Sequence, residues 1–228
     1  MTIIYLLMTV TVFFLLRYIF KSLSHPFANP LLWSIIFFIG LFSLTTLDLQ
    51  AYSTANASLV WLLEPAVVAF AIPLFNQLQQ LKQHLTSILL CCLSSVFIAM
   101  LSDTLIARLM TTDKTLLLSI LPKSVTTPIA MEISQPLGGL APLTAGIVII
   151  VGLFGAIVGV SLLKLFKITD PQAQGLAMGC AAHTVGTATI IKEGETQGAF
   201  SSIALVLCGI FTAILAPLFA WFINHVLS

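Results

Sequence analysis

Apolar runs separated by short polar or proline-marked breaks fill the chain, at 3–20, 31–47, 57–78, 85–107, 115–133, 142–166, 171–191 and 199–227. Each is close to the ~20 residues that a helix needs to cross the hydrocarbon of a bilayer. Backbone amides and carbonyls in hydrocarbon must be satisfied within their own segment, so runs of this length predict helices. Asn29-Pro30 and Asp170-Pro171 each place a capping side chain before a proline at the first helical position. Ala141-Pro142 opens another run without a capping side chain. Trp33, Trp61 and Trp221 lie near segment ends, where interfacial anchors collect. The pattern predicts an all-α integral membrane protein with about seven or eight transmembrane segments, organised as one domain over 1–228.

Composition agrees. Of the 228 residues, 59% are hydrophobic and 7% are charged, and mean hydropathy is +1.11. Soluble domains carry roughly a quarter charged residues, so this composition cannot clothe a water-exposed surface. A net charge of +1 gives no reason to expect nucleic acid as a partner. The partner is the lipid bilayer. Arg17 and Lys21 follow the first run instead of preceding it, and no small-residue cleavage site is clear, which predicts a retained helix and not a leader. Cys91, Cys92, Cys180 and Cys208 sit in apolar stretches without metal-ligand spacing and read as small packing residues. Neither a metal nor a cofactor is expected.

The positive-inside rule does not orient the chain. If all runs cross, Arg17, Lys21, Lys82 and Lys192 oppose Arg108, Lys114, Lys164 and Lys167. A re-entrant 115–133 tips the balance towards an outside N-terminus.

Three segments contain what an inert span avoids. In WLLEPAVVAFAIPLF (61–75), Glu64 precedes Pro65, with Pro73 further on. Glu64 is either an interfacial cap or an ion-coupling group at membrane depth. In LPKSVTTPIA (121–130), Pro122 and Pro128 each remove a backbone donor and crowd the preceding turn. Leu121 and Thr127, each before a proline, are expected to leave helical dihedrals. The freed backbone groups need protein or a wet cavity to satisfy them. Ser124, Thr126 and Thr127 offer hydroxyls, and Lys123 offers a positive charge. The bland alternative is a kinked helix whose lysine snorkels to the surface.

In GLAMGCAAHTVGTA (175–188), Gly175, Gly179, Ala182 and Gly186 make one helical face of small residues, which permits close helix approach in lipid. His183 lies beside that face, flanked by Thr184 and Thr187. A packing histidine is the plain alternative. Two interrupted segments are the sequence pointer to a midplane substrate site. Half-helix N-termini and a nearby cation favour an anion there. Lys123 with His183 therefore points to a small carboxylate.

At PKSVTTPIA (122–130), GLAMGCAAHTVGTA (175–188) and GAFSSIALVLCGI (198–210) the chain resembles the LrgB/CidB family of bacterial membrane proteins, and EPAVVAFAIPL (64–74) fits too. The resemblance covers nearly the whole chain and implies a multi-pass protein of the bacterial cytoplasmic (inner) membrane. The family was first named for control of murein hydrolase activity and autolysis, with a small holin-like LrgA/CidA partner encoded nearby. Fused to an LrgA-like part, the same unit resembles the plastid glycolate/glycerate translocator, and other bacterial relatives are implicated in pyruvate uptake with an LrgA-type protein. The charged IKEGET (191–196) matches no family role.

A holin-like pore needs oligomerising apolar helices but no buried cation beside broken helices. The expected function is therefore a secondary carrier for small monocarboxylates, with the holin/antiholin-like pore as the alternative. An intramembrane enzyme has little support, because no HExxH or GxSxG pattern occurs. A homodimeric scaffold with elevator-like or rocking movement follows by analogy with inverted-repeat carriers, although the halves share no convincing identity.

Overall fold

A computed structural model describes residues 2–23, 28–62, 65, 68, 71–76, 78–110 and 113–225. Those residues are helical or in turns, with no strand among them. The chain divides into two compact units, Met1–Ala69 and Phe70–Ser228.

In the first unit, α1 (Thr2–Ile19) packs against α2 (Pro30–Leu44) and α3 (Leu49–Ala55), and α4 (Ala57–Trp61) follows. Asn29 caps α2 as expected, its Oδ1 accepting from the Leu31 amide at 2.9 Å. α3 falls where the pattern places a break, because LQAYSTA is too polar to register as an apolar run. It is held by Tyr52, whose ring lies 4.9 Å from that of Phe42 and 5.8 Å from that of Tyr5. The Tyr52 hydroxyl oxygen accepts from Thr9 at 3.0 Å, so this polar tip is satisfied.

The second unit contains α5 (Ala71–Asn76), α6 (Leu78–Gln83), α7 (Leu85–Met110), α8 (Lys114–Ile120), α9 (Thr127–Leu137), α10 (Ala141–Leu165), α11 (Pro171–Ile190) and α12 (Glu195–His225). α12 runs along α11, α7 and α5, and α11 packs between α12 and α10. The core between α7, α11 and α12 includes Ile88, Val96, Met100, Phe200 and Ala204, all nearly or fully buried. Asp170 caps α11, accepting from the Ala173 amide at 2.8 Å. α12 starts inside the charged loop, with Glu195 in its first turn, where an acidic side chain complements the helix dipole.

The segments 85–109, 141–165 and 195–225 are long and apolar enough to cross a membrane, with Ile3–Ile19 and Pro30–Leu44 as shorter apolar helices. The chain is a helical membrane protein. The run 57–78 is described only in pieces, and Glu64 lies outside the described residues.

Candidate functional site

The first interruption is where the sequence places it. α8 stops at Ile120, residues 121–126 form turns, and α9 resumes at Thr127. The dihedrals correct one expectation. Leu121 stays helical at φ −48° and ψ −48° although Pro122 follows it, and Thr127 opens α9. A following proline only disfavours the helical region, and at Leu121 the packing of a fully buried side chain prevails. The chain departs one residue later, in a tight turn where the Lys123 amide donates to the Ile120 carbonyl at 3.0 Å. Thr126 has the extended conformation of an N-cap, yet its buried hydroxyl makes no capping hydrogen bond.

Lys123 is ion-paired. Its Nζ lies 3.0 Å from Asp103 Oδ2 on α7, with Asp103 9% exposed and Lys123 24%. A pocket of about 350 Å³ opens beside the pair. Lys123 and Ser124 line it from the first break, Ser95 and Ser102 from α7, and Cys180 and Ala181 from α11 just before the second break. Asp103 is the residue that the sequence reading missed. Its signal in the sequence is a lone carboxylate four residues before the end of the apolar run 85–107.

The second interruption is sharper. Ala182 (φ −128°, ψ 15°) and His183 (φ 41°, ψ −136°) leave helical geometry inside α11. A positive φ at a residue with a Cβ stores strain on the order of 1–3 kcal/mol. Its surroundings hold it there. His183 is 2% exposed, and its Nε2 donates to the Val148 carbonyl of α10 at 2.9 Å. Gly152 makes room for the ring, since a Cβ at that position would sit 2.6 Å from His183 Cε1. Thr187 donates to the His183 carbonyl and shares a 2.8 Å hydrogen bond with Ser201, which anchors the second half of α11 to α12. His183 Nδ1 and Thr184 Oγ1 are buried without a partner among the described residues. Buried polar atoms left in this way need an explanation, such as a water or a ligand.

The two breaks converge on Val148. Its side chain clusters with Val125 and Ala130 from the first break, while its carbonyl holds His183 from the second. Lys123 and His183 nevertheless do not share a pocket, because the imidazole faces α10 and is absent from the wall that Lys123 lines. The single face of small residues also ends at the break. Gly175 and Gly179 do meet the α12 backbone, with a Cβ on Gly175 placed 2.5 Å from the Gln197 carbonyl oxygen. Gly186 instead faces Ala182 Cβ and the Met178 carbonyl of its own segment.

The strain at position 183 is directly measurable. Glycine adopts positive φ freely, so His183→Gly is expected to unfold less readily than His183→Ala, by about 1 kcal/mol in denaturant titration, although both lose the same imidazole contacts. Equal stability of the two variants would mean that the backbone there is unstrained.

The family model described as the LrgB-like family matches residues 9–222. An uncharacterized protein of Haemophilus influenzae is 36% identical over 214 residues, covering 94% of this chain and 93% of the relative. In Bacillus subtilis, uncharacterized protein YxaC is 34% identical (96% of this chain, 95% of the relative) and uncharacterized protein YwbG 33% (94% and 96%). No solved structure matches the chain. The match spans both units and both interrupted segments, and the chain belongs to the LrgB-like family.

Proposed function

We propose that this protein is a non-enzymatic secondary carrier for small monocarboxylates such as pyruvate, glycolate or glycerate. Membership of the LrgB-like family supports a transport or holin-like role in a membrane. The observation that favours the carrier is Lys123, a cation at a pocket walled by residues of one interrupted helix and by residues next to the other. An ammonium at a pocket lined with hydroxyls suits a carboxylate. Ser124 and Ser95 add hydroxyls to the same wall, while the Ser102 hydroxyl donates to the Ala99 carbonyl.

In this reading the substrate carboxylate competes with Asp103 for Lys123, and Thr126 and Thr127, which lie outside the pocket lining at the start of α9, are further candidates for binding it. The orphaned polar atoms of His183 and Thr184 serve the second break, and Glu64 is a candidate for ion coupling. Seven or eight crossings, a homodimeric scaffold, elevator-like movement, an inner-membrane location and an LrgA-type partner belong to the same proposal.

Proteoliposomes loaded with the purified protein are expected to accumulate labelled pyruvate, glycolate or glycerate saturably, with or without an LrgA-type protein. They should retain large entrapped dyes. Escape of the dyes under the same conditions would favour the pore.

A further inference from the structure

Three of the four cysteines, distant in sequence, meet in the core. Cys180 Sγ lies 3.4 Å from Cys208 Sγ and 3.8 Å from Cys92 Sγ. All three sulfurs are within 4.8 Å of one another. They come from α11, α12 and α7, and each side chain is buried, whereas Cys91 next door is exposed. None of the three forms a disulfide.

We propose that Cys92, Cys180 and Cys208 form a binding site for a soft monovalent d¹⁰ cation, Cu(I). Metal–thiolate bonds are about 2.3 Å, so three sulfurs around one ion in a plane are separated by roughly 4.0 Å. The Cys180–Cys208 and Cys180–Cys92 separations, 3.4 and 3.8 Å, fall just short of that value, so a slight opening of the trio seats the ion. The donor set selects the ion. Thiolates prefer Cu(I) and zinc over hard cations, while structural zinc takes four ligands. No fourth His, Cys, Asp or Glu donor joins the group among the described residues, and its core neighbours are mostly apolar, with Ser95 beside Cys180.

Charge constrains the site. Coordination by three thiolates releases three thiol protons and leaves the Cu(I) cluster doubly negative, a burial cost that the Lys123 ammonium on the pocket lined by Cys180 partly offsets. A path exists as well, because Cys180 also lines the pocket beside Lys123. This site is independent of the transport reading and stands or falls separately from it.

The test uses the full-length reduced protein in detergent, with Cu(I) supplied from a chromophoric Cu(I) chelator. Unmodified protein and Cys91→Ser are expected to withdraw one equivalent of Cu(I), and Cys92→Ser, Cys180→Ser and Cys208→Ser none. Metal-edge X-ray absorption of the unmodified protein, which needs no variant to fold, should show three sulfur neighbours at about 2.3 Å. No uptake of Cu(I), a shell of nitrogen or oxygen neighbours, or uptake unaffected by loss of any of the three cysteines would overturn the proposal.

Discussion

Lys123→Ala is expected to abolish carboxylate uptake and also to destabilise the protein, whereas Lys123→Ala combined with Asp103→Ala recovers the stability alone. Removing the ammonium leaves Asp103, 9% exposed, without its 3.0 Å partner. Breaking a buried pair costs several kcal/mol, and the partial exposure of Lys123 reduces that here to about 2 kcal/mol. Deleting both charges removes the orphan. The double variant should therefore unfold close to the unmodified protein in detergent melts, yet take up no labelled substrate in proteoliposomes. Single and double variants that both transport normally would exclude Lys123 from the site. A double variant as unstable as the single one would show that the pair holds the fold by packing and not by charge balance.

Gly179→Ala is expected to prevent accumulation of folded protein, while Gly146→Ala has no such effect. A Cβ at Gly179 would meet the Ser201 carbonyl, and would lie 2.9 Å from Ser201 Cα and 2.8 Å from Ala204 Cβ. Two of those contacts are with backbone, so relief requires α11 and α12 to separate along a buried seam. The loss should exceed about 3 kcal/mol, the upper range for overpacking in a dense core. Around Gly146 there is open space within 4 Å, and alanine is the better helix former. Yield of monodisperse protein after detergent extraction distinguishes the two, and equal yields would contradict the packing.

The sequence made the helical class, the helix starts at Asn29-Pro30 and Asp170-Pro171, and both interruptions legible, because each depends on local chemistry. Proline spacing located the first break almost to the residue. The second break was visible only as a glycine-rich stretch around His183, and its positive φ depends on Val148 and Gly152, residues of another helix. For the same reason Gly152, Gly155 and Gly159, which form the α10 surface against α11, carried no message on their own. α3 presents no apolar run, because much of its hold on the first unit comes from Tyr52, whose ring and hydroxyl meet α1 and α2. The Lys123–Asp103 pair and the cysteine trio join residues from different segments, and no spacing rule within one segment reaches them. Lys123 lines one pocket while the His183 ring turns to α10, because the break in α11 sends the residues on its two sides to different neighbours.

The Lys123–Asp103 pair has an electrical consequence. An opposed pair has no net charge, so a mobile element holding it would cross the field silently when the site is empty. With one carboxylate bound, the same movement would carry a single negative charge, at about 2.3 kcal/mol per 100 mV of membrane voltage. The whole voltage sensitivity would then rest on the loaded stroke, and a cell interior held negative would oppose uptake unless a cation travelled with the acid.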